Sequence, residues 1–384
     1  MPKPQEICVV QVGGTNYQWW KEVEVVRDLN EEVSQCSLVV AEIGDLNKGW
    51  KSLRLKPGDP GKVTLAGQLA ATGAVAVRQV VYDGQNHNVK IVVQSKPADI
   101  VKGSLDLPPG QFKNQTLTQL ANAALKKFGI SFSLRGAIDG ADKIFERVSV
   151  HMGESPFQFI LRLAQMRNIH IMDDALGNMI GIRGGGQVVA ELQEGRNILS
   201  AELIWTNNEA VSNIISDTDQ HGNDEHWGDK ARAQSAKATN KNYTGANPVT
   251  LRLVAPQPGD VKDAQMHANH MADINNASQF QANVTVAGWL RDNGKLWLNE
   301  VGNLIDLYSP MLLPSERATL GIEAVTARQN DQTGTTSTLR LVLKDRLGGR
   351  DKYDTSKGDA PDQDSGPSSP EPALPLPEES QGAP

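Results

Sequence analysis

The chain has 384 residues, 39% of them hydrophobic, with two cysteines and a formal net charge of −7. That length suffices for two or three domains with cores of their own, and Cys8 and Cys36 alone exclude both a disulfide framework and a cysteine-built zinc site. Eight acidic residues and two lysines lie from Asp351 onward, which leaves 37 acidic against 36 basic side chains in the first 350 residues, so nothing in the overall charge of the body calls for nucleic acid or an anionic membrane.

The N-terminal segment MPKPQEICVVQVGG carries an apolar run too short for a signal peptide, and no later stretch reaches the length of a membrane span. The chain therefore reads as made and assembled in the cytoplasm, with no membrane anchor and with both cysteines reduced in a core. Residues 1 to 96 read as strands. ICVVQV, WWKEVEVVRDL, CSLVVAEI, KVTLAG, ATGAVAVRQVVY and HNVKIVVQS are short and β-branched, separated by VGGTN, KPGDPG and YDGQN, the turn chemistry of a compact barrel or sandwich.

Residues 97 to 186 change period and read as an α+β domain. In TLTQLANAALKKFGISFSL, Thr116 and Gln119 form a capping box. Leu117, Leu120, Ala121, Ala124, Leu125 and Phe128 line one helical face, and Gly129 ends the helix before Ile130, Phe132 and Leu134 alternate. ESPFQFILRLAQMRNIHIM repeats the plan. Ser155 and Gln158 form the box, Pro156 takes the first helical position, and Phe157, Ile160, Leu161 and Ala164 make the apolar stripe. Arg162, Gln165 and Arg167 should point away from it. Asn168 suits a left-handed C-terminal position, after which Ile169 and Ile171 alternate into a strand. The run Gly184 to Gly186 marks the exit.

Residues 187 to 347 return to strands and read as a second, larger β domain, interrupted from about 206 to 247 by a polar stretch rich in Asn, Asp, Gln, Lys and Ser that reads as a mobile insertion. A helix should open at Asp260 and run to about Ala277. QFQANVTVAGW, LWLNEVGNLIDLYS, TLGIEAVTARQN and TSTLRLVLKD then supply strands. From 348 to 384 the chain is acidic, with seven prolines from position 361 onward, and buries too little to offset its ordering entropy, so this tail should be disordered.

Candidate chemistry is sparse. Gly61 and Lys62 suggest a phosphate loop, but that motif needs glycine where Lys56 stands and Ser or Thr where Val63 stands. Gly184 to Gly186 lack dinucleotide-fingerprint spacing. His221 and His226, with His267 and His270 three apart on the predicted late helix, are the one conceivable metal set. A calcium loop starting at Asp217 fails because its twelfth position is Gly228, and the helical pair lacks the glutamate of a zinc protease motif. No nucleophile elbow, carboxylate pair or RNA-binding aromatic motif stands out, so the reading assigns no catalytic residue, no cofactor and no metal, and leaves interface residues unassigned.

SVHMGESPFQFILRLAQMRNIHIMDDALGNMIGI resembles the strand, helix, strand and hairpin segment of baseplate hub proteins of Mu-like contractile-tailed phages, the late control D type of tail hub. Pro57, Gly58 and Asp59, then Thr72 and Gly73, His87, Ser95, Asp99 and Ser104 follow in the family's order, as do Gly294, Leu296 and Trp297 and later Gly334, Thr335 and Thr336. Ala74 departs from it where an aromatic often follows the glycine, and the 206 to 247 stretch has no counterpart in it. The resemblance implies a structural protein of the virion tail, assembled in the host cytoplasm: mainly β, with two β-barrel domains joined by a small α+β domain. It further implies a homotrimer whose six barrels imitate a six-fold ring. The implied partners are tail tube proteins, the central spike, other baseplate proteins and the tape measure protein, with phage DNA passing only in transit. The competing readings are a tail-associated peptidoglycan hydrolase using His267 or His270, and a cell-wall-binding module suggested by β-rich architecture alone.

Overall fold

The computed structural model describes residues 6–18, 20–29, 34–41, 55–83, 87–218, 234–240, 243–313 and 317–348. The first β region comprises β1 (Cys8–Val12), β2 (Thr15–Tyr17), β3 (Glu22–Asp28), β4 (Gln35–Ala41), β5 (Pro60–Leu65), β6 (Gln68–Tyr82) and β7 (His87–Ser95). They hydrogen-bond in the order β2-β1-β5-β6-β7-β4-β3, every pair antiparallel. Alternation decides which side chains turn inward: Cys8, Val10 and Val12, then Val23 and Val25, Val63 and Leu65, and Val89, Ile91 and Val93 are all buried. The two-residue turn between β5 and β6 has positive φ at both Ala66 (50°) and Gly67 (78°), the backbone that matches the twist of a tight hairpin. Both cysteines are free and buried, and burial pushes the Cys8 thiol up to about 12.

The middle segment holds α1 (Ala98–Lys102), β8 (Gln111–Gln115), α2 (Leu117–Leu125), β9 (Phe132–Leu134), β10 (Phe145–Ser149), α3 (Pro156–Gln165), β11 (His170–Asp173) and β12 (Met179–Ile182). Both expected capping boxes form, Thr116 with Gln119 and Ser155 with Gln158. Gly129 (φ 63°) and Asn168 (φ 48°) take the left-handed positions that end the two helical segments. Leu117, Leu120, Ala121 and Leu125 of α2 pack with Phe157, Phe159, Ile160 and Leu163 of α3 in one apolar cluster over β9, β11 and β12.

The second β region comprises β13 (Val188–Gln193), β14 (Ser200–Trp205), β15 (Asn213–Thr218), β16 (Gln234–Thr239), β17 (Thr250–Val254), helix α4 (Val261–Gln279), β18 (Phe280–Ala287), β19 (Leu304–Tyr308), β20 (Arg317–Asn330) and β21 (Gly334–Leu343). Asp260 caps α4 as expected, its side chain accepting from Asp263 N–H. The fold is mainly β, with strand-rich regions on either side of the α+β segment. The two regions also share one sheet. One edge of β20 pairs first with β19, Leu304 opposite Gly321, and then with β3, Ala324 opposite Asp28, so a single 13-stranded sheet runs from β14 to β2. A bulge between Ile322 and Ala324 separates the two pairings and turns Glu323 into the interior.

Two expectations need correction. The stretch from 206 to 247 contains β15 and β16, which with β17 form a three-stranded sheet packed on α4 through Ile214, Ala238, Ala268 and Ala272. A face built from alanine and serine leaves little trace in hydropathy, so alternation there reads as mere polarity. Residues 219–233, with His221 and His226, lie outside the described residues, as does the tail expected to be disordered beyond Gly348. The second correction concerns Arg162 and Arg167. They are buried, not turned outward, because Glu154 and Gln257 meet Arg162, and Asp263 of α4 meets Arg167.

Candidate functional site

A set of buried polar joints ties the three segments together, and α3 with its following strand lies at their centre. Arg162, on α3, is 6% exposed and meets Glu154, 8% exposed, through Nε to Oε1 at 2.7 Å and Nη2 to Oε2 at 3.0 Å. This bidentate pair is the strong form of a carboxylate contact. Nη2 also donates to the Ser149 carbonyl at 2.9 Å and Nη1 to Gln257 Oε1, while Gln257 Nε2 donates to the Arg147 carbonyl at 3.0 Å. Gln257 belongs to the loop entering α4, so one residue of the second β region closes the site.

One turn on, Arg167 stands 3.9 Å over the Phe145 ring and donates from Nη1 to Asp263 Oδ1 at 2.7 Å. Lys143 donates to Asp260 at 2.8 Å and to Asp263 at 2.7 Å. Burial pushes the Asp260 carboxyl up, but Lys143 and the Asp263 N–H outweigh it and hold the group below its ordinary value. The first turn of α4 is thereby anchored to the middle segment by two cations, Lys143 and Arg167, set against two carboxylates, Asp260 and Asp263.

Deeper still, Arg346, in the turn Lys344–Leu347 after β21, donates from Nε to Glu323 Oε1 at 2.9 Å. Glu323 Oε2 accepts from Arg340 Nε at 3.0 Å, and Arg340 also binds Asp28 of β3. Arg27, also on β3, donates to the Ala70 carbonyl at 2.7 Å and to Asn299 Oδ1 at 2.8 Å. Ser34 Oγ donates to Asp173 Oδ1 of β11 at 2.6 Å. Arg135 Nη1 donates to the Val301 carbonyl at 2.7 Å. Each segment thus touches the other two through groups whose removal would leave buried partners unsatisfied.

His267 and His270 turn inward from α4. His267 Nδ1 lies 2.9 Å from Ser216 Oγ and His270 Nδ1 lies 3.2 Å from Asn168 Oδ1. Among the described residues no three His, Cys, Asp or Glu side chains converge to hold a metal, and no helix is long and apolar enough to cross a membrane. The groove beside α3, lined by His151, Met152, Leu161 and Gln165, is open to solvent, and the two charges at its floor, Glu154 and Arg162, bind each other.

Among the described residues, two strand edges carry exposed apolar side chains. β14 ends the long sheet, hydrogen-bonded to β18 along one side, and exposes Ile204 (45%) and Trp205 (68%) beside Leu199 (61%). The distal part of β6 exposes Val77, Val81 and Tyr82. None of these was singled out in the sequence, where such residues read as ordinary strand interior.

Comparison with known proteins follows the same division of the chain. Residues 7–93 match the family model for the N-terminal domain of Mu phage baseplate assembly protein GpP-like, and residues 97–182 match that for the second domain of baseplate hub protein gp44-like. The baseplate hub protein gp44 of Escherichia phage Mu is 22% identical over 341 residues, covering 88% of this chain and 87% of that protein. The 43 kDa tail protein of prophage MuSo2 from Shewanella oneidensis has a similar fold, with a TM-score of 0.75 at 24% identity, covering 89% of this chain and 99% of that one. A tail protein from Neisseria meningitidis MC58 follows with a TM-score of 0.73 at 16% identity, covering 89% of this chain and 98% of that one.

Proposed function

We propose that the chain, whose residues 7–93 and 97–182 match families of Mu-like baseplate proteins, is a structural baseplate hub of a contractile phage tail and works there as a three-fold adaptor. In this reading three copies close into a ring. Each contributes two strand-rich domains, so that six similar elements face the six-fold tail tube while the other side receives the trimeric central spike. The centre of the ring remains a channel through which DNA passes during ejection. Contacts with other baseplate proteins and the tape measure protein belong to the same reading.

The observation that supports it is the pairing of β3 with β20. Two strand-rich regions far apart in sequence are joined edge to edge within one chain, and the long sheet ends on an apolar strand, β14. An exposed edge of this kind needs a cover, and pairing with the next copy in a closed ring supplies one without open-ended growth. The polar joints serve the same end by fixing the middle segment against both β regions.

Light scattering and particle imaging of the full chain, alone and with tube and spike proteins, test the proposal. Three-fold particles with the two β regions alternating around one ring are expected. A two-fold dimer, or a three-fold complex with the two regions at unrelated radii, would refute the adaptor mechanism.

A further inference from the structure

Where the middle segment meets the second β region, two imidazoles lie face to face. His170 of β11 and His270 of α4 have ring centroids 4.5 Å apart and planes inclined by 28°, and both are buried. Arg346 Nη1 lies 2.9 Å from His170 Nδ1 and 3.5 Å from Nε2. A guanidinium only donates hydrogen bonds, so a ring nitrogen of His170 must accept with its lone pair, and the ring is neutral. His270 engages Asn168 Oδ1 through Nδ1, and Asn168 Nδ2 donates to Asp273 Oδ2 at 3.2 Å.

Charged side chains stand on the elements packed around the pair. Carboxylates come from α4 (Asp263 and Asp273), β20 (Glu323) and β3 (Asp28). Guanidiniums come from the end of α3 (Arg167), the end of β12 (Arg183), β21 (Arg340) and the last turn (Arg346). The remaining titratable ring is His267, one turn earlier on α4, against Ser216 of β15. A proton added to His170 removes the lone pair that Arg346 uses and sets two cations at hydrogen-bond distance. A proton added to His270 sets a cation against the stacked ring.

We propose that the stacked His170 and His270 form an acid-operated latch, which when protonated releases α3 and β11 from α4 and the last turn while the long sheet stays folded. Burial supports this direction. It lowers His270 to about 3 and His267 to about 4, and it lowers His170, with the charges of His270 and Arg346 adding to the effect. A ring whose folded-state value is depressed contributes its full stability above the ordinary histidine range, near 6.5. That contribution is lost as the pH falls through the interval toward the depressed values.

Hydrogen–deuterium exchange of the full chain at about pH 7.5 and about pH 5, corrected for intrinsic rates, reads the latch. Peptides across 156–173 and 261–279 should exchange about tenfold faster or more at the lower pH, since each unit of proton linkage is worth a factor of ten. Peptides of β20 and β21 should hold. The variant His170→Gln/His270→Gln keeps an acceptor for Arg346 but takes no proton at the pair, so peptides across 156–173 should lose the acid response, while His267 retains part of it across 261–279. Equal exchange in the parent protein at both pH values, or the same acid loosening in the variant, would overturn the latch. Should the variant not fold, nitrogen-15 NMR of the parent's histidines decides. Rings that stay neutral until the joint opens support the proposal, and rings that titrate near 6.5 with no change in exchange refute it.

Discussion

Truncating Glu154 to alanine would leave the Arg162 guanidinium buried with only neutral acceptors, the Ser149 carbonyl and Gln257 Oε1. Both charged partners are under a tenth exposed, so water screens the loss little. Breaking a buried pair from one side costs about 3–5 kcal/mol, because a desolvated charge is left behind. At about 2 °C per kcal/mol, the lower end of the usual range for larger domains, the melting temperature should fall by roughly 6–10 °C. Removing both charges is a different perturbation. Glu154→Leu with Arg162→Met replaces the pair by apolar groups of similar length and should recover most of the loss, as apolar replacements of buried pairs often do. Thermal and urea unfolding of the parent, the single variant and the double variant measure this. A single variant within about 2 °C of the parent, or a double variant as unstable as the single, would sink the claim that α3 is held by a desolvated ion pair.

Gly73→Ala should destabilise by at least about 1–3 kcal/mol in chemical denaturation, because its Cβ would stand 2.7 Å from the Gln94 carbonyl carbon and Ser95 Cα, backbone that cannot step aside. An unchanged midpoint would refute that account. Ile204→Lys, on the outer edge strand β14, should leave the melting temperature of the isolated chain within about 2 °C while reducing the three-fold species in light scattering. Trimer formation equal to the parent's would exclude β14 from the contact. Ending the chain after Arg350 should shift the melting temperature by no more than a few degrees, roughly 1 kcal/mol, since Leu347 and Arg346 keep their contacts with Gly321 and Glu323. A collapse of solubility on that truncation would mean that the tail packs.

Local physics was legible in the residue order. Ser155 and Gln158 spell a capping box whatever surrounds them, Asn168 and Gly129 offer the left-handed backbone that ends a helix, and the alternation of Val89, Ile91 and Val93 sets a buried face, because all of these depend on neighbours within a few positions. The family resemblance was legible for the same reason, since it rests on turn and strand punctuation in order. What could not be read was anything set by distant partners. Arg162 and Arg167 fall on the polar side of a helical wheel, yet Glu154, Gln257 and Asp263 bury them, the last two from about a hundred residues away. His267 and His270 resemble a metal pair by spacing, and only the tertiary structure shows that they face Ser216 and Asn168. Ala236 and Ala238 look like part of a polar loop until α4 lies across them. The union of the two β regions through β3 and β20 spans some three hundred residues and turns on a bulge at Glu323. Sequence specifies which elements form, because helix and strand preferences are local. Tertiary structure alone decides which charges are desolvated and which edges remain open, because both depend on what the rest of the chain brings alongside.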